Sequence, residues 1–357
     1  MVSIQESTLP KINKINNFDF LRLLFAYFII ISHSYPLSGS TDTEWLSEIT
    51  KGQIDFAFIG LKGFFSISGY LIFQSLERSK GFIDYYWKRI LRLFPALFVV
   101  LLLTVLLAPL VYENTIPYLS NKNVWTYIPN NIFLYTIQFG ITGVFENIPF
   151  KSAINGSLWS IPYEFTLYII ISSFIFLKKF PQIKKALLIL LFTFLAVGNI
   201  FFYAELSRYF LFVSSGYLLD LGIYFIAGSL LASINIESYT YKNHLFLVSV
   251  IVLIVSIATN SFTYSKYFIL PICIIIGGIM STPVINKIGS TIGDLSYGIY
   301  IYSFPIQQTL VYYFKFSALE LMLPTLFIAS FFAYFSWHWI EKRALLLKNY
   351  QFNIFSK

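Results

Sequence analysis

The sequence predicts an all-α fold, a polytopic transmembrane helical bundle of about ten spanning helices. Three observations lead to this prediction. Hydrophobic residues make up 57% of the 357-residue chain and charged residues only 12%, which leaves more apolar surface than a soluble fold can bury. Apolar runs of spanning length recur along the chain. Basic residues fall in alternate connecting segments, as in multi-pass membrane proteins.

The predicted spans follow one another with mostly short connections. An apolar run of about 18 or more residues is long enough to cross a bilayer as a helix. The predicted spans are residues 20–37, 55–75, 94–112, 157–177, 186–204, 211–233, 244–260, 265–281, 295–314 and 321–340. Between the third and fourth spans, Pro129-Asn130-Asn131 interrupts the weaker stretch 124–139, so we expect a re-entrant or interfacial segment there.

Charge sets the predicted orientation, because loops retained in the cytoplasm are enriched in lysine and arginine. With the amino terminus inside, eighteen of the 25 basic residues fall on the cytoplasmic side. The net charge of +8 then reflects this bias, so nucleic acid is not an expected partner. We expect a multi-pass protein of the cell (inner) membrane, surrounded by lipids, with both termini cytoplasmic. One domain, 1–357, would comprise a tail at 1–17, the bundle at 18–343 and a tail at 344–357.

Arg22 and His33 share the first predicted span. Both are costly in hydrocarbon, and ionisable groups inside spans usually mark a site or a pathway. They lie eleven positions apart, so they share one helix face, with His33 roughly 16 Å further along the axis. The alternative is that neither residue has a catalytic role. Arg22 would then reach lipid phosphates, and His33 would only form hydrogen bonds at the other end of the span.

A cationic cluster follows the second span, where Lys88 precedes Arg89 and Arg92. The two arginines are three apart, so on a helical turn they face the same way. Arginine offers planar, bidentate donors, which suit a phosphate-rich ligand. The alternative is an ordinary positive-inside cluster that binds lipid headgroups.

Small residues recur every third position in the second span, at Gly60, Gly63, Ser66 and Gly69. This spacing is typical of helices that pack closely, and a ligand channel is the alternative.

Glu164 lies roughly 10 Å inside the fourth span, where a carboxylate needs a partner or a raised pKa. His33 is the partner we predict, because both lie in the outer half of the predicted topology. Asp220 is a lesser candidate within the sixth span. Near the last span's inner end, His338 and Glu341 are expected to form an interfacial pair.

Metal and thiol chemistry have little support in the sequence. The only cysteine, Cys273, lies in an apolar span, which excludes a disulfide. The three histidines are scattered and form no ligand set, so we predict no metal site.

In this order the motifs resemble the integral-membrane acyltransferase-3 family, whose members O-acylate cell-surface sugars. The resemblance runs from Asp19 to Glu341. Two departures occur, since many members have a histidine at Ser303 and a proline at Arg343. The matching motifs are Arg22 with His33, Phe64-Phe65-Ser66-Ile67-Ser68-Gly69, Arg89 with Arg92, Ser157-Leu158-Trp159-Ser160 with Glu164, and Ser296-Tyr297 with Tyr300.

The resemblance implies an O-acyltransferase that moves an acyl group, with acetyl preferred, from cytoplasmic acyl-CoA to a hydroxyl of a cell-surface or lipid-linked polysaccharide. Acyl-CoA would be a co-substrate, with no cofactor bound permanently. Lys88, Arg89 and Arg92 would hold the donor phosphates, and Arg22 would steer the pantetheine into the bundle. The acceptor would contact residues from the fourth and ninth spans, namely Trp159, Ser160, Tyr300 and Ser303.

His33 would act as general base towards the acceptor hydroxyl, or as a nucleophile that forms a transient acyl-imidazole. An imidazole with an ordinary pKa of about 6.5 suits either role. Glu164 would orient His33 or balance its charge. The alternative function is a proton-coupled transporter or flippase, in which the same two residues relay protons. A homo-oligomer is compatible with either function.

Overall fold

A computed structural model describes residues 16–151, 153–210 and 213–349, and these residues are largely helical. The α-helices are α1 (Phe18–Ser38), α2 (Trp45–Ile49), α3 (Phe56–Arg78), α4 (Phe82–Leu107), α5 (Lys122–Ile132), α6 (Ile161–Ser172), α7 (Pro181–Phe201), α8 (Tyr203–Leu206), α9 (Ser215–Ser233), α10 (Lys242–Ala258), α11 (Phe262–Ile279), α12 (Ile288–Ile292), α13 (Ser296–Phe314), α14 (Ala318–Ser336) and α15 (Lys342–Leu346). A π-helical turn, Trp337–Glu341, joins α14 to α15. Two short antiparallel strands, β1 (Tyr209–Phe210) and β2 (Val213–Ser214), precede α9.

Short 3-10 segments extend or connect these helices. They are Ala108–Val111, Tyr118–Ser120, Gly156–Ser160, Ser173–Leu177, Ile236–Ser238, Ile285–Lys287 and Leu347–Asn349.

Ten long helices account for the ten predicted spans. Eight helical runs of the described chain are long and apolar enough to cross a membrane. The other two predicted spans are α10, with 17 residues, and α13, with 19. The all-α polytopic bundle is therefore confirmed. Most of both predicted tails, including Lys11, Lys14 and Lys357, lies outside the described residues, as does residue 211, where the sixth span was predicted to begin.

Two segments differ in detail from the predicted boundaries. α4 begins at Phe82, so the cationic cluster lies on a helix and not in a loop. The expected re-entrant or interfacial stretch contains α5, whose 11 residues include Pro129. At 1.5 Å per residue this helix is roughly 16 Å long, too short to cross a bilayer.

The small residues of α3 allow close approach of its neighbours. A Cβ on Gly63 would lie 2.3 Å from the Phe25 ring of α1, and one on Gly69 would lie 1.9 Å from the Phe225 carbonyl oxygen of α9. On the facing helix, a Cβ on Gly228 would lie 2.1 Å from the carbonyl oxygen of Ser66. Close packing is thus the role of this stripe, which places α3 between α1 and α9.

Two hydrophobic clusters flank the region where the site lies. One joins α3, α6, α7, α9 and α11, and the other joins α4 and α13 to the long connection before α6. Polar residues from helices of both clusters face the cavity that lies between them, among them Ser68 and Glu164 from the first and Arg92 and Tyr300 from the second. We call the end of the bundle where α3 ends and α4 begins the basic end, and the other the opposite end.

Candidate active site

A cavity of about 500 Å³ extends from the basic end into the bundle. Its volume lies within the range of roughly 300–1,000 Å³ that is typical of ligand sites. Cations from α1, α3, α4 and the carboxyl-terminal segment line it, namely Arg22, Arg78, Lys88, Arg89, Arg92 and Lys348. Further in, its walls are Ser68, Ser160, Glu164, Tyr168, Tyr297 and Tyr300 among apolar side chains. The cavity thus joins a cationic entrance to a polar interior.

Arg78 and Lys348 are exposed at the cavity entrance. Of the four partly buried cations that line the cavity, Arg22, Lys88, Arg89 and Arg92, Arg89 is the one with no carboxylate within ion-pair distance among the described residues. Its Nη2 donates to Ser75 Oγ at 3.0 Å, and its buried Nε donates to no described group. The guanidinium lies 5.6 Å from the ring centroid of Tyr85 and 5.9 Å from that of Tyr168. An arginine with spare donors in such a site favours an anionic ligand.

Asp294 joins two further cavity arginines, Arg22 and Arg92. Its Oδ2 accepts from Arg22 and, at 2.7 Å, from Arg92, and its Oδ1 accepts from Ser296 at 2.6 Å. Burial alone would raise the pKa of Asp294, but the two guanidinium groups and Ser296 hold it well below its usual range. The carboxylate is therefore charged at neutral pH and ties α1 and α4 to the start of α13.

Glu341 supplies a second carboxylate to Arg92, with Oε2 3.6 Å from Arg92 Nη1. It is 1% exposed, and its Oε1 accepts from Ser336 at 3.1 Å. The predicted interfacial pair of His338 with Glu341 is wrong, because the π-helical turn directs Glu341 into the bundle. The His338 ring packs instead against Tyr334, with centroids 4.3 Å apart.

Glu164 faces the cavity but does not bond to His33. Its Oε1 accepts from Ser68 at 2.8 Å and from Tyr168 at 2.5 Å. Within the described chain, no hydrogen bond or ion pair joins Glu164 to the predicted partner. Glu164 instead acts electrostatically on Arg89. The carboxylate thus belongs to the wall of the cavity, where two hydroxyl groups hold it in place.

The predicted acceptor residues fall into two groups. Ser160 and Tyr300 line the inner part of the cavity, with their hydroxyl oxygens 2.6 Å apart. Trp159 packs outside it, with its ring centroid 4.9 Å from Tyr217. Ser303 is fully buried and donates to the Tyr300 carbonyl at 3.3 Å, so it is engaged within its own helix. In the described residues, no group of three His, Cys, Asp or Glu side chains is placed to hold a metal.

His33 lies beyond the cavity, towards the opposite end of α1. Its Nδ1 is buried without a hydrogen-bond partner in the described structure, and its ring meets Phe304 edge-on at 5.7 Å between centroids. Phe64 lies between Phe25 and Tyr300, at 6.1 and 6.0 Å between centroids. These three rings form an aromatic layer at the inner part of the cavity, and both Phe64 and Tyr300 line the cavity.

Comparison with known proteins shows the family of this chain. A family model described as an acyltransferase domain, the acyltransferase-3 model, matches residues 15–340. The chain belongs to the acyltransferase-3 family. It is a membrane O-acyltransferase with a multi-pass helical bundle, and the predicted enzyme class is confirmed.

Two relatives are similar to this acyltransferase. An O-acetyl transferase of Shigella phage Sf6 is 30% identical over 340 residues, which cover 93% of this chain and 97% of the phage protein. Nodulation protein 10 of Rhizobium leguminosarum bv. viciae is 30% identical over 177 residues, which cover 43% of this chain and 42% of that protein. No solved structure matches the chain significantly.

Sequence reasoning did not identify several residues of this site. Ser68 lies inside a matching motif but has no predicted role, and Asp294, Arg78 and Lys348 were not predicted to belong to a site. Helical spacing gives no sign of a partner such as Arg22 for Asp294, because they are 272 positions apart. The one available signal was the cost of leaving an acidic residue beside a span unpaired.

Proposed function

We propose that this acyltransferase moves an acetyl group from acyl-CoA, bound at the basic end, to a hydroxyl of a cell-surface or lipid-linked polysaccharide at the opposite end. The protein would lie in the cell (inner) membrane with both termini cytoplasmic, so that the cavity opens to the acyl-CoA pool. The name of the phage relative, which aligns along almost its whole length, supports acetyl as the transferred group.

The observation that carries the proposal is Arg89, which has a buried Nε without a partner and no described carboxylate within ion-pair distance, in a cavity lined by cations. The donor's phosphates would bind Arg89 and Lys88, with Arg78 and Lys348 at the entrance. Lys88 is only partly engaged, since its ion pair with Asp84 at 2.8 Å is one turn away on the same helix and partly exposed. Arg92 is held by Asp294 and Glu341, so it would shape the cavity and contribute its charge.

The thioester would then lie near the inner wall, where Ser160, Tyr300 and Glu164 line the cavity. Arg22 would guide the pantetheine from the entrance, and the pair of Glu164 with Ser68 would hold that wall in place. Transfer across the aromatic layer would bring the acyl carbon to His33. This step needs Phe64 or Tyr300 to move aside.

At His33 two routes remain. As general base, its free Nδ1 would take the proton of the acceptor hydroxyl while that oxygen attacks the thioester carbon. The carbon–sulfur bond breaks, and coenzyme A leaves as the thiol once it receives that proton. As nucleophile, the imidazole would first displace coenzyme A, which leaves as the thiol with the ring N–H proton. The acceptor hydroxyl oxygen would then attack the acyl-imidazole carbon, the carbon–nitrogen bond breaks, and the hydroxyl proton returns to the ring. Both routes need an unpartnered ring nitrogen.

The transporter alternative used His33 and Glu164 as a proton relay. Its support is weaker now, because no hydrogen bond joins these two groups in the described residues and because the chain belongs to an acyltransferase family. Glu164 instead has hydroxyl partners of its own.

Titration of acetyl-CoA against purified protein tests the donor site. Arg89→Ala should weaken binding by about 1.5–3 kcal/mol, roughly 10- to 150-fold, which is the scale of a hydrogen bond to a charged group. Arg89→Lys should rescue binding only in part, because a point charge lacks the arginine fork. Arg343→Ala is the matched control, since this exposed arginine lies outside the cavity. Equal acetyl-CoA affinities for Arg89→Ala and the control would mean that the cationic cluster does not bind the donor and is an ordinary positive-inside cluster.

A further inference from the structure

A second group of buried charges lies at the opposite end of the bundle. Lys62 of α3 forms an ion pair with Asp220 of α9, and Lys62 is only 4% exposed. Lys266 of α11 lies beside them. Lys62 is sixteen residues before Arg78 on α3, so roughly 24 Å of helix separates it from the cavity entrance. The cavity itself reaches Leu61, but Lys62, Asp220 and Lys266 do not line it, so they form a distinct group.

The cations in this group outnumber the carboxylates they contact. The ammonium groups of Lys62 and Lys266 lie 5.7 and 5.6 Å from the centroid of the same Phe58 ring. Lys266 makes no hydrogen bond or ion pair with any residue that the structure describes. The next carboxylate, Asp55, caps α3 by accepting from the Phe58 backbone amide at 2.5 Å. Lys266 thus contacts the rings of Phe58 and Tyr267 but has no carboxylate of its own, which is costly for a partly buried cation within an apolar helix.

A hydroxyl in the same place also lacks a partner. Tyr224 is fully buried, and its hydroxyl has no hydrogen-bond partner among the described groups. Its ring lies 5.6 Å from the Lys62 ammonium and 5.9 Å from the Tyr267 ring. A buried hydroxyl without a partner costs free energy that a ligand can recover. A spare cation and a spare donor together suit an anion.

The entrance to this group carries exposed aromatic rings. Tyr217 lies one turn before Asp220 on α9, is 45% exposed and packs against Trp159. Tyr163 completes a triad, 5.8 Å from each of these rings. Asp220 itself keeps 28% of its side chain exposed, so the group is not closed off from its surroundings.

We propose that Lys62, Lys266 and Tyr224 bind the phosphate of a lipid from that leaflet, and that this lipid carries the glycan acceptor past Trp159 and Tyr217. Phosphate is the anion that a lipid presents at this depth, and the aromatic rings offer flat faces to an attached sugar. The acceptor part of this inference rests on the proposed function. The proposal specifies a lipid-linked acceptor. The phosphate site itself is argued only from the two lysines and the Tyr224 hydroxyl and does not depend on the proposed function.

Binding of radiolabelled polyprenyl phosphate to the full-length protein in a phosphate-free detergent tests the site. Saturable binding should weaken about tenfold or more in Lys266→Gln, the scale of one charge-assisted contact, and should largely survive in Lys266→Arg. Lys122→Gln, at an exposed lysine of α5 on the same side, is the matched control and should bind as wild type. Because Lys62→Gln alone leaves Asp220 unpaired, the double variant K62Q/D220N is measured beside it.

Competitors separate the two sources of lipid phosphate. Preference for polyprenyl phosphate over phosphatidylglycerol supports acceptor presentation. Equal displacement by phosphatidylglycerol keeps the phosphate site but overturns acceptor presentation. Unchanged binding in both Lys266→Gln and K62Q/D220N overturns the site itself. Acetyl-CoA affinity should be unchanged in Lys266→Gln. The acetyl-CoA titration therefore tests the donor site alone, and polyprenyl phosphate binding tests the lipid-phosphate site alone.

Discussion

Asp294 determines the shape of the cavity entrance at the scale of single residues. It holds Arg22 and Arg92 together and leaves Arg89 as the cation with spare donors. Its lowered pKa means that its contribution to stability is fully present above the unfolded-state pKa of about 3.9. That contribution is lost as the pH falls towards the lowered folded-state pKa.

Asp294→Asn should destabilise the protein by about 1–3 kcal/mol, because it leaves Arg22 without its carboxylate partner and Arg92 with Glu341 alone. It should also weaken acetyl-CoA binding, since the arginines can then move. Asp84→Asn is the matched control, because the partly exposed Asp84–Lys88 pair should contribute less than about 1 kcal/mol. Thermal unfolding in detergent checks this. Equal losses of stability in the two variants would show that the ion pairs of Asp294 with Arg22 and Arg92 do not stabilise the bundle more than an exposed pair does.

His33→Ala should lower acyl transfer by about 10²- to 10⁴-fold, the usual contribution of a general base. Insertion and acetyl-CoA affinity should be unchanged, because His33 lies outside the donor cavity. His244→Ala, at an exposed histidine at the start of α10, should keep full activity. Glycan acylation is measured with each purified variant. Near-normal acylation by His33→Ala would exclude both routes that use the imidazole.

At the scale of helices, the sequence was a good guide because burial in lipid and helix length are local properties. Each of the ten apolar runs contains a helix in the described chain, and the small residues of α3 pack as their spacing predicts. The partners of charged residues are not local. The Lys62–Asp220 pair spans 158 positions, and Glu164 bonds to Ser68 where His33 was predicted. Which helices are neighbours decides these pairs, and periodicity does not contain that information.

Gly228→Ala should destabilise the bundle by about 1–3 kcal/mol, because its Cβ would meet the backbone of α3 at Ser66 and the contact cannot relax through a rotamer. Gly222→Ala, on the same helix, is the control. Its Cβ would lie 3.5 Å from the flexible Leu167 side chain, so the change should be neutral or slightly stabilising. Thermal unfolding of both variants provides the comparison. A Gly228→Ala protein as stable as Gly222→Ala would mean that α3 and α9 lie further apart.

At the scale of the whole molecule, α3 connects two polar regions across the bundle. The cationic cavity lies at its carboxyl-terminal end, and the lysine group lies near its amino-terminal end. The aromatic layer of Phe25, Phe64 and Tyr300 separates the cavity from His33. A single chain with this arrangement could take a donor from one side of the membrane and an acceptor from the other. That one domain carries both sites is a prediction.

The central claim is that the donor enters at the basic end and the acyl group leaves at the opposite end. Proteoliposomes of known orientation test it most directly, with labelled acetyl-CoA confined to one face and glycan acceptor to the other. We predict labelled glycan only when acetyl-CoA is on the face that carries Arg78 and Lys348, with none from Arg89→Ala at low donor concentration. Labelling only when acetyl-CoA is on the face of Lys266 would contradict the account.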